Sequence, residues 1–329
     1  MTTSVKKVKN RATASVAEKL FFITNSIENN KHQVSKLRLK PSDHKIMTET
    51  CKININNTKK LNELENKQRI IDKAPFDHLK INDPSVLDDV QGREICGKCF
   101  KSRKFFCYTC YTPVIDSKYF PRVKLPIKID IIKHRKEIEG KSTAIHAAIL
   151  APEDVTIYIY PDFPIFTPND KVVLIFPGKN AISIDDLLSK RLNKENKSDD
   201  TTEDDYYPIT RAIFIDSTWQ QTKSIYKDPR LRELPCVVFS SRISQFWRHQ
   251  KKSPRWYLAT IEAVHTFLVE LHKKTYGAIE NYNIKQVNTD DEKYSGQYDN
   301  LLYIFKYMYH KIHTIYDHDQ LRAYKRPLI

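Results

Sequence analysis

The segment Arg211-Ala-Ile-Phe-Ile-Asp-Ser-Thr-Trp-Gln-Gln-Thr-Lys-Ser-Ile-Tyr226 limits the folds open to this chain more than any other. Ala212–Ile215 is a short apolar run of β-branched and aromatic residues, the sign of a buried strand. Asp216 ends it. Ser217 or Thr218 can accept a hydrogen bond from a free N–H in the first turn of a following helix, and Asp228-Pro229 closes that helix. The run therefore places Asp216, Ser217, Thr218 and Trp219 on a strand-to-helix turn at the carboxyl end of a strand, the edge where α/β sheets bind ligands. A carboxylate, two hydroxyls and an indole on one turn suit a site. They equally suit a capped helix with Trp219 in the core.

The alternation continues on both sides. Ile127–Ile132, Thr156–Tyr160, Val172–Phe176 and Cys236–Phe239 read as further strands. Ser142 or Thr143 starts a helix that runs to Leu150. Ser183 caps another, with Asp185 and Asp186 in its positive first turn. Thr260 caps a third, whose Ile261, Val264, Leu268 and Leu271 line one face before Gly277 ends it. Leu301, Phe305, Met308 and Ile312 form the stripe of a last helix. Strand and helix in turn imply an α/β fold, a mainly parallel sheet with helices on both faces. Three loops offer ligand groups: Phe176–Asn180, Asp216–Trp219 and Trp256–Thr260. Periodicity does not say that they meet. The chain has no Gly-x-Gly-x-x-Gly, P-loop, Gly-x-Ser-x-Gly or His-Glu-x-x-His, so no familiar cofactor signature competes.

Before this region lie two pairs of cysteines, Cys96-Gly-Lys-Cys99 and Cys107-Tyr-Thr-Cys110, with seven residues between the pairs. Four thiolates suit a closed tetrahedral Zn2+ site of structural type, although the gap is shorter than the common ribbon spacing. A redox pair and ordinary core cysteines are the rival readings. Phe105, Phe106, Tyr108 and Tyr111 either pack round the metal or stack on RNA. Arg242, Arg248, Lys251, Lys252 and Arg255 form a basic segment interleaved with Phe246, Trp247, Trp256 and Tyr257. That pattern reads as a nucleic-acid contact ahead of a solvated charge run.

The formal net charge of +15 favours an anionic partner, nucleic acid before a membrane surface. No apolar run of spanning length exists, and no secretory leader is visible at the start. Clustered rather than dispersed cysteines point to a reducing, intracellular compartment. The start, with Lys6-Lys-Val-Lys-Asn-Arg11, reads as a nuclear signal, a mitochondrial presequence or a plain tail; the nucleus is preferred to the cytoplasm. Residues 1–74 are Asn/Lys-rich and read as mostly disordered, with short helices near Val16–Ile27 and Thr58–Ile71. The remaining divisions are a cysteine module with its lead-in at 75–120, the α/β domain at 121–316 and a tail at 317–329. Ser189–Pro208 reads as a solvated insertion.

Asp216-Ser-Thr-Trp-Gln-Gln221 resembles the signature of the DTW-domain family, the tRNA-uridine aminocarboxypropyltransferases. Leu174-Ile-Phe-Pro-Gly-Lys-Asn-Ala181, Phe246-Trp-Arg-His-Gln-Lys-Lys252, Leu258-Ala-Thr-Ile-Glu-Ala-Val264 and the cysteine cluster resemble its other segments, in family order from Cys96 to Tyr309. The likeness is strongest to the eukaryotic first subgroup. It implies a SPOUT-like fold with a knotted C-terminal cofactor site, in which bent loops hold S-adenosyl-L-methionine. The implied cofactor-binding residues are Phe176, Pro177, Gly178, Ser217, Thr218, Trp219, Leu258, Thr260 and Glu262. The implied reaction transfers an aminocarboxypropyl group to N3 of a D-loop uridine in tRNA. Asp216 is the candidate base, with helix capping or contact to the cofactor's amino group as its other readings. Trp219 either stacks on a base or packs in the core, and Glu262 either binds the amino group or favours the helix start. The family usually has Ser-Thr-x-Glu-Ala where this chain has Ala259-Thr-Ile-Glu-Ala263, so one hydroxyl is missing. A zinc-containing RNA-binding protein without catalysis and an RNA methyltransferase on the same fold are the alternatives.

Overall fold

The computed structural model describes residues 63–178, 180–195, 209–240, 242–250, 253–278 and 293–326. The expectations for residues 1–62, including the helix near Val16–Ile27, and for 196–208 of the insertion lie outside the described residues, as do Lys251 and Lys252.

The chain enters through a helix at 63–73 (α1). Two small antiparallel hairpins follow, β1 (Glu94–Ile95) with β2 (Ser102–Arg103) and β3 (Phe106–Cys107) with β4 (Thr112–Pro113). The main body is β5 (Lys128–Lys133), α2 (Ala144–Leu150), β6 (Val155–Ile159), β7 (Val172–Ile175), β8 (Ile182–Ser183), α3 (Ile184–Glu195), β9 (Arg211–Asp216), α4 (Trp219–Tyr226), α5 (Pro229–Arg232), β10 (Cys236–Val238), α6 (Thr260–Tyr276) and α7 (Tyr303–Ile315). The six main strands make one sheet in the order β6-β5-β9-β7-β10-β8, and every neighbouring pair is parallel. The α/β expectation is met. The edge strand β8 was not expected, since two paired residues leave no periodic signal. Late strands insert between early ones: β9 lies between β5 and β7, and β10 between β7 and β8.

Side chains alternate between the faces of a sheet, and here they feed two cores. Ile129, Ile131, Ala212 and Phe214 join the larger one with α2, α6 and α7; Ile132, Leu174 and Ile213 join Ile225 of α4 and Leu231 of α5 in the smaller. Lys133 and Asp216 are register partners. They extend the rows Ile129–Ile131 and Ala212–Phe214, so each apolar row on the larger-core face ends in one charge.

Helix ends follow the sequence in part. Ser183 Oγ accepts from the Asp186 N–H at 3.1 Å and Asp186 Oδ2 accepts from the Ser183 N–H at 3.2 Å, a reciprocal cap. Gly277 ends α6 at φ 86°. The caps expected of Ser142, Thr143 and Thr260 are not made. The N-cap of α6 is Ala259, whose N–H donates to Glu262 Oε2 at 2.8 Å, and Thr143 makes no side-chain cap. These hydroxyls are used across the fold instead.

The fold also extends beyond the limits read from composition. In α1, Asp72 is buried against Arg255. At the other end Ala323 is buried and Tyr324 OH donates to the Gln245 carbonyl at 3.1 Å, so residues expected to form a tail pack on the body.

Candidate active site

Asp216 closes β9 at 5 % exposure. Ser142 Oγ donates to its Oδ2 at 2.6 Å and Thr260 Oγ1 donates to its Oδ1 at 2.5 Å. Beside them, Thr143 Oγ1 accepts from the Ile261 N–H at 3.2 Å. The starts of α2 and α6 are thus tied to each other and to the end of β9. Burial pushes the Asp216 carboxyl above its usual range, against the two hydroxyls and Lys133, which favour the ionised form.

The loop after β5 forms the other wall. Glu137 is half-buried and pushed up by burial and by Asp216. Tyr111 comes from the cysteine module, with the Lys133 ammonium 5.9 Å from its ring centroid. Burial, with Glu139 and Asp216 nearby, pushes its phenol up to about 12. Thr109 Oγ1 donates to Glu139 Oε2 at 2.9 Å, fastening the module to the same loop.

The sulfur atoms of Cys96, Cys99, Cys107 and Cys110 lie within 4.8 Å of one another, Cys99 and Cys107 at 3.4 Å. Tetrahedral thiolate zinc, at about 2.3 Å per bond, needs sulfurs about 3.8 Å apart, so the set fits one ion. Phe100 and Tyr111 follow the two pairs at φ 59° and 54°, the same left-handed turn used twice. Burial raises the Cys107 thiol, but the N–H groups of Cys110 and Thr109 outweigh it and bring it down to about 6. Burial and the neighbouring sulfurs push Cys110 up to about 12. Crowded thiolates of this kind are what a dication neutralises.

The DTW domain model matches residues 104–313. The chain is 42% identical over 273 residues to tRNA-uridine aminocarboxypropyltransferase 1 of Mus musculus, covering 74% of this chain and 85% of that protein. The chain belongs to the DTW-domain family. The Homo sapiens protein of that name gives the same identity and coverage, and the Xenopus laevis protein is 41% identical over 261 residues, 70% of this chain and 85% of its own. No solved structure matches the chain at comparable significance.

Within this DTW domain the expected site residues fall into three groups. Asp216 and Thr260 meet directly, with Ser217 and Thr218 on the adjoining turn. Thr218 N–H donates to Gln221 Oε1 at 3.0 Å, and the Ser217 hydroxyl is 2.7 Å from that of Thr222. Trp219 opens α4, and Leu258 is half-buried just before α6. A second group lies on the smaller-core side. Phe176 stacks on Tyr226 at 4.3 Å between centroids, next to the exposed Pro177. A Cβ on Gly178 would stand 2.9 Å from Cys236 Sγ and 3.0 Å from Tyr226 OH, so any larger residue there would have to displace one of these side chains. The third group is Glu262. Its carboxylate takes Ser244 Oγ at 2.6 Å and the N–H groups of Gln245 and Ala259 at 2.6 and 2.8 Å, which ties the start of α6 to the Ser244–Gln245 segment.

Arg255 leaves the RNA-binding set. It is 3 % exposed and makes a two-pronged pair with Asp72 at 2.7 and 2.9 Å. Arg242 is exposed. Arg248 donates to the Gly140 carbonyl at 3.2 Å, beside the loop that walls the site. Sequence reading missed Ser142 as a partner of Asp216, and missed Lys133, Glu137 and Asp72. The signal for Lys133 was a lysine closing an apolar strand.

Proposed function

We propose that the chain is a tRNA-uridine aminocarboxypropyltransferase, transferring the 3-amino-3-carboxypropyl group of S-adenosyl-L-methionine to N3 of a D-loop uridine. The observation that supports this most, in a chain of this family, is the buried Asp216 carboxylate binding the starts of two helices at the sheet edge. N3 attacks the γ-carbon, the C–S bond breaks, and methylthioadenosine leaves with the sulfur electron pair. The sulfonium charge activates the carbon, so the chain has to orient the groups and take the N3 proton. Asp216 is assigned that proton. Burial makes it a stronger base than an exposed aspartate, and the half-buried Thr260 hydroxyl links it outward.

Phe176–Gly178, Ser217–Trp219 and Leu258–Thr260 are assigned to the donor. Arg242 and Arg248, with Lys251 and Lys252 between Arg248 and α6, are assigned to the tRNA backbone. The insertion of β9 and β10 between earlier strands supports a SPOUT-like knotted topology. The four cysteines are assigned one structural Zn2+. The basic start supports nuclear residence, and no helix among the described residues is long and apolar enough to cross a membrane.

The test is incubation with unmodified tRNA and S-adenosyl-L-methionine labelled in the methionine carboxyl carbon. Label in tRNA with release of methylthioadenosine, both lost in Asp216→Ala, supports the transfer. Release of S-adenosylhomocysteine without that label makes the chain a methyltransferase. Bound tRNA with neither product leaves an RNA-binding protein.

A further inference from the structure

Lys133 is 4 % exposed. Among the described residues its ammonium makes no direct ion pair and no hydrogen bond; the Tyr111 ring lies 5.9 Å away, and the Asp216 and Glu137 carboxylates are near enough to feel its charge. Asp216 stands across the register, but each of its oxygens already accepts a hydroxyl. The stem of Lys133 is buried while its ammonium still meets solvent, so the charge stays available at the sheet edge. A cation placed in this way suits a ligand that brings the opposite charge.

The surroundings narrow that ligand. Lys133 ends the Ile129–Ile131 row on the face where α2 and α6 begin, at the strand ends where α/β sheets take ligands. Glu137, on the loop leaving β5, supplies a half-buried carboxyl. One cation and one carboxyl at one sheet edge complement the two charges of an amino-acid head group. Glu262, the other carboxylate of the expected site, is consumed by Ser244, Gln245 and Ala259.

We infer that Lys133 is the counter-ion of the α-carboxylate in the amino-acid end of the donor, with Glu137 facing its α-ammonium. This rests on the donor assigned above and adds to it the group by which the transferred fragment is held. Both charges remain on that fragment through the reaction. Gripping them orients the γ-carbon without touching the bond that breaks.

The test is calorimetric titration of the full-length protein with three probes: S-adenosyl-L-methionine, its decarboxylated form, and methylthioadenosine, which lacks the amino-acid end. Lys133→Met is expected to weaken the first about 10- to 100-fold, the span of a charged hydrogen bond, and to leave the other two unchanged. Lys133→Arg is expected to recover part of the loss. Glu137→Gln is expected to weaken the first two and spare the third. Lys133→Met is also expected to leave the Tm nearly unchanged, since the ammonium makes no direct bond within the chain. Unchanged donor binding in Lys133→Met would overturn the assignment, as would equal loss of all three probes with a lowered Tm. A wild-type protein that binds none of the three removes the donor reading itself, and this inference with it.

Discussion

Lys133 and Arg255 are both buried cations, 4 % and 3 % exposed, and the fold treats them in opposite ways. Arg255 is paired twice with Asp72, and its guanidinium lies 5.0 Å from the Tyr324 ring. Lys133 makes no direct ion pair; the Tyr111 ring lies 5.9 Å away and the Asp216 and Glu137 carboxylates lie only within reach of its charge. The carboxylates divide likewise. Glu262 and Asp216 are both buried and both raised by burial. Glu262 holds two backbone N–H groups and a hydroxyl of the Ser244–Gln245 segment and its own helix start; Asp216 holds two hydroxyls from helix starts and lies near Lys133, whose charge favours its ionised form. Polar groups whose bonds close within the chain lock segments together, whereas an ammonium without a direct partner at a sheet edge is open to a group from outside.

The comparison can be broken first at the module carrying Tyr111. Cys107→Ser is expected to lose the metal, about one zinc per chain by elemental analysis. Structural zinc contributes on the order of 10 kcal/mol to small modules, so residues 94–113 should lose hydrogen-exchange protection while the Arg255–Asp72 side keeps it. Asp216→Ala is expected to cut transfer about 10²- to 10⁴-fold, the usual range for a lost acid–base group, with tRNA binding retained in a filter assay. Arg255→Met should do the reverse. Breaking a buried pair costs about 3–5 kcal/mol, read from the urea midpoint, with little change in kcat of the folded fraction. Adding Asp72→Leu should return part of the loss. Glu262→Gln is expected to cost about 1–3 kcal/mol with transfer nearly intact.

The smallest effect is in pH dependence. Asp299 accepts from His265 Nε2 at 2.9 Å and from the Lys80 N–H at 2.7 Å. Burial raises its carboxyl, but His265, Tyr294 and the Lys80 N–H outweigh this and hold it at about 2, against 3.8 in the unfolded chain. A depressed carboxylate stabilises fully above 3.8, and the contribution is lost as pH falls toward 2. That amounts to about 2 kcal/mol, and Asp299→Asn should flatten that decline. Glu262 is raised, so the folded state holds its proton longer than the unfolded chain, and stability falls as pH rises from 4.5 through its folded value. Glu262→Gln should remove that second slope.

Much of the architecture was legible because it depends on local pattern. The apolar runs at Ile127–Ile132 and Ala212–Ile215 became β5 and β9 with bounds shifted by a residue, since hydrophobic runs mark a strand's middle better than its ends. The helix expected near Thr58–Ile71 is present at 63–73, but the strand β8 and the packing of 63–73 and 317–326 on the body were not legible. Their stability comes from distant partners such as Arg255 and Gln245, not from their own periodicity. The hydroxyls were misread for the same reason. Ser142 and Thr260 stand where a cap belongs, and sequence cannot show that a carboxylate from another strand competes for them.

The sequence by itself determined the alternation of strand and helix, the turn that puts Asp216 at a strand end, the two cysteine pairs and the family. These are written in neighbouring residues. Tertiary structure alone decided the partners: that Arg255 pairs directly with Asp72 while Lys133 makes no direct ion pair, and that Glu262 ties α6 to the Ser244–Gln245 segment. Burial and pairing are set by chain segments far apart in sequence, 183 positions for Arg255 and Asp72, and the energy of a buried charge depends on what those segments bring to it.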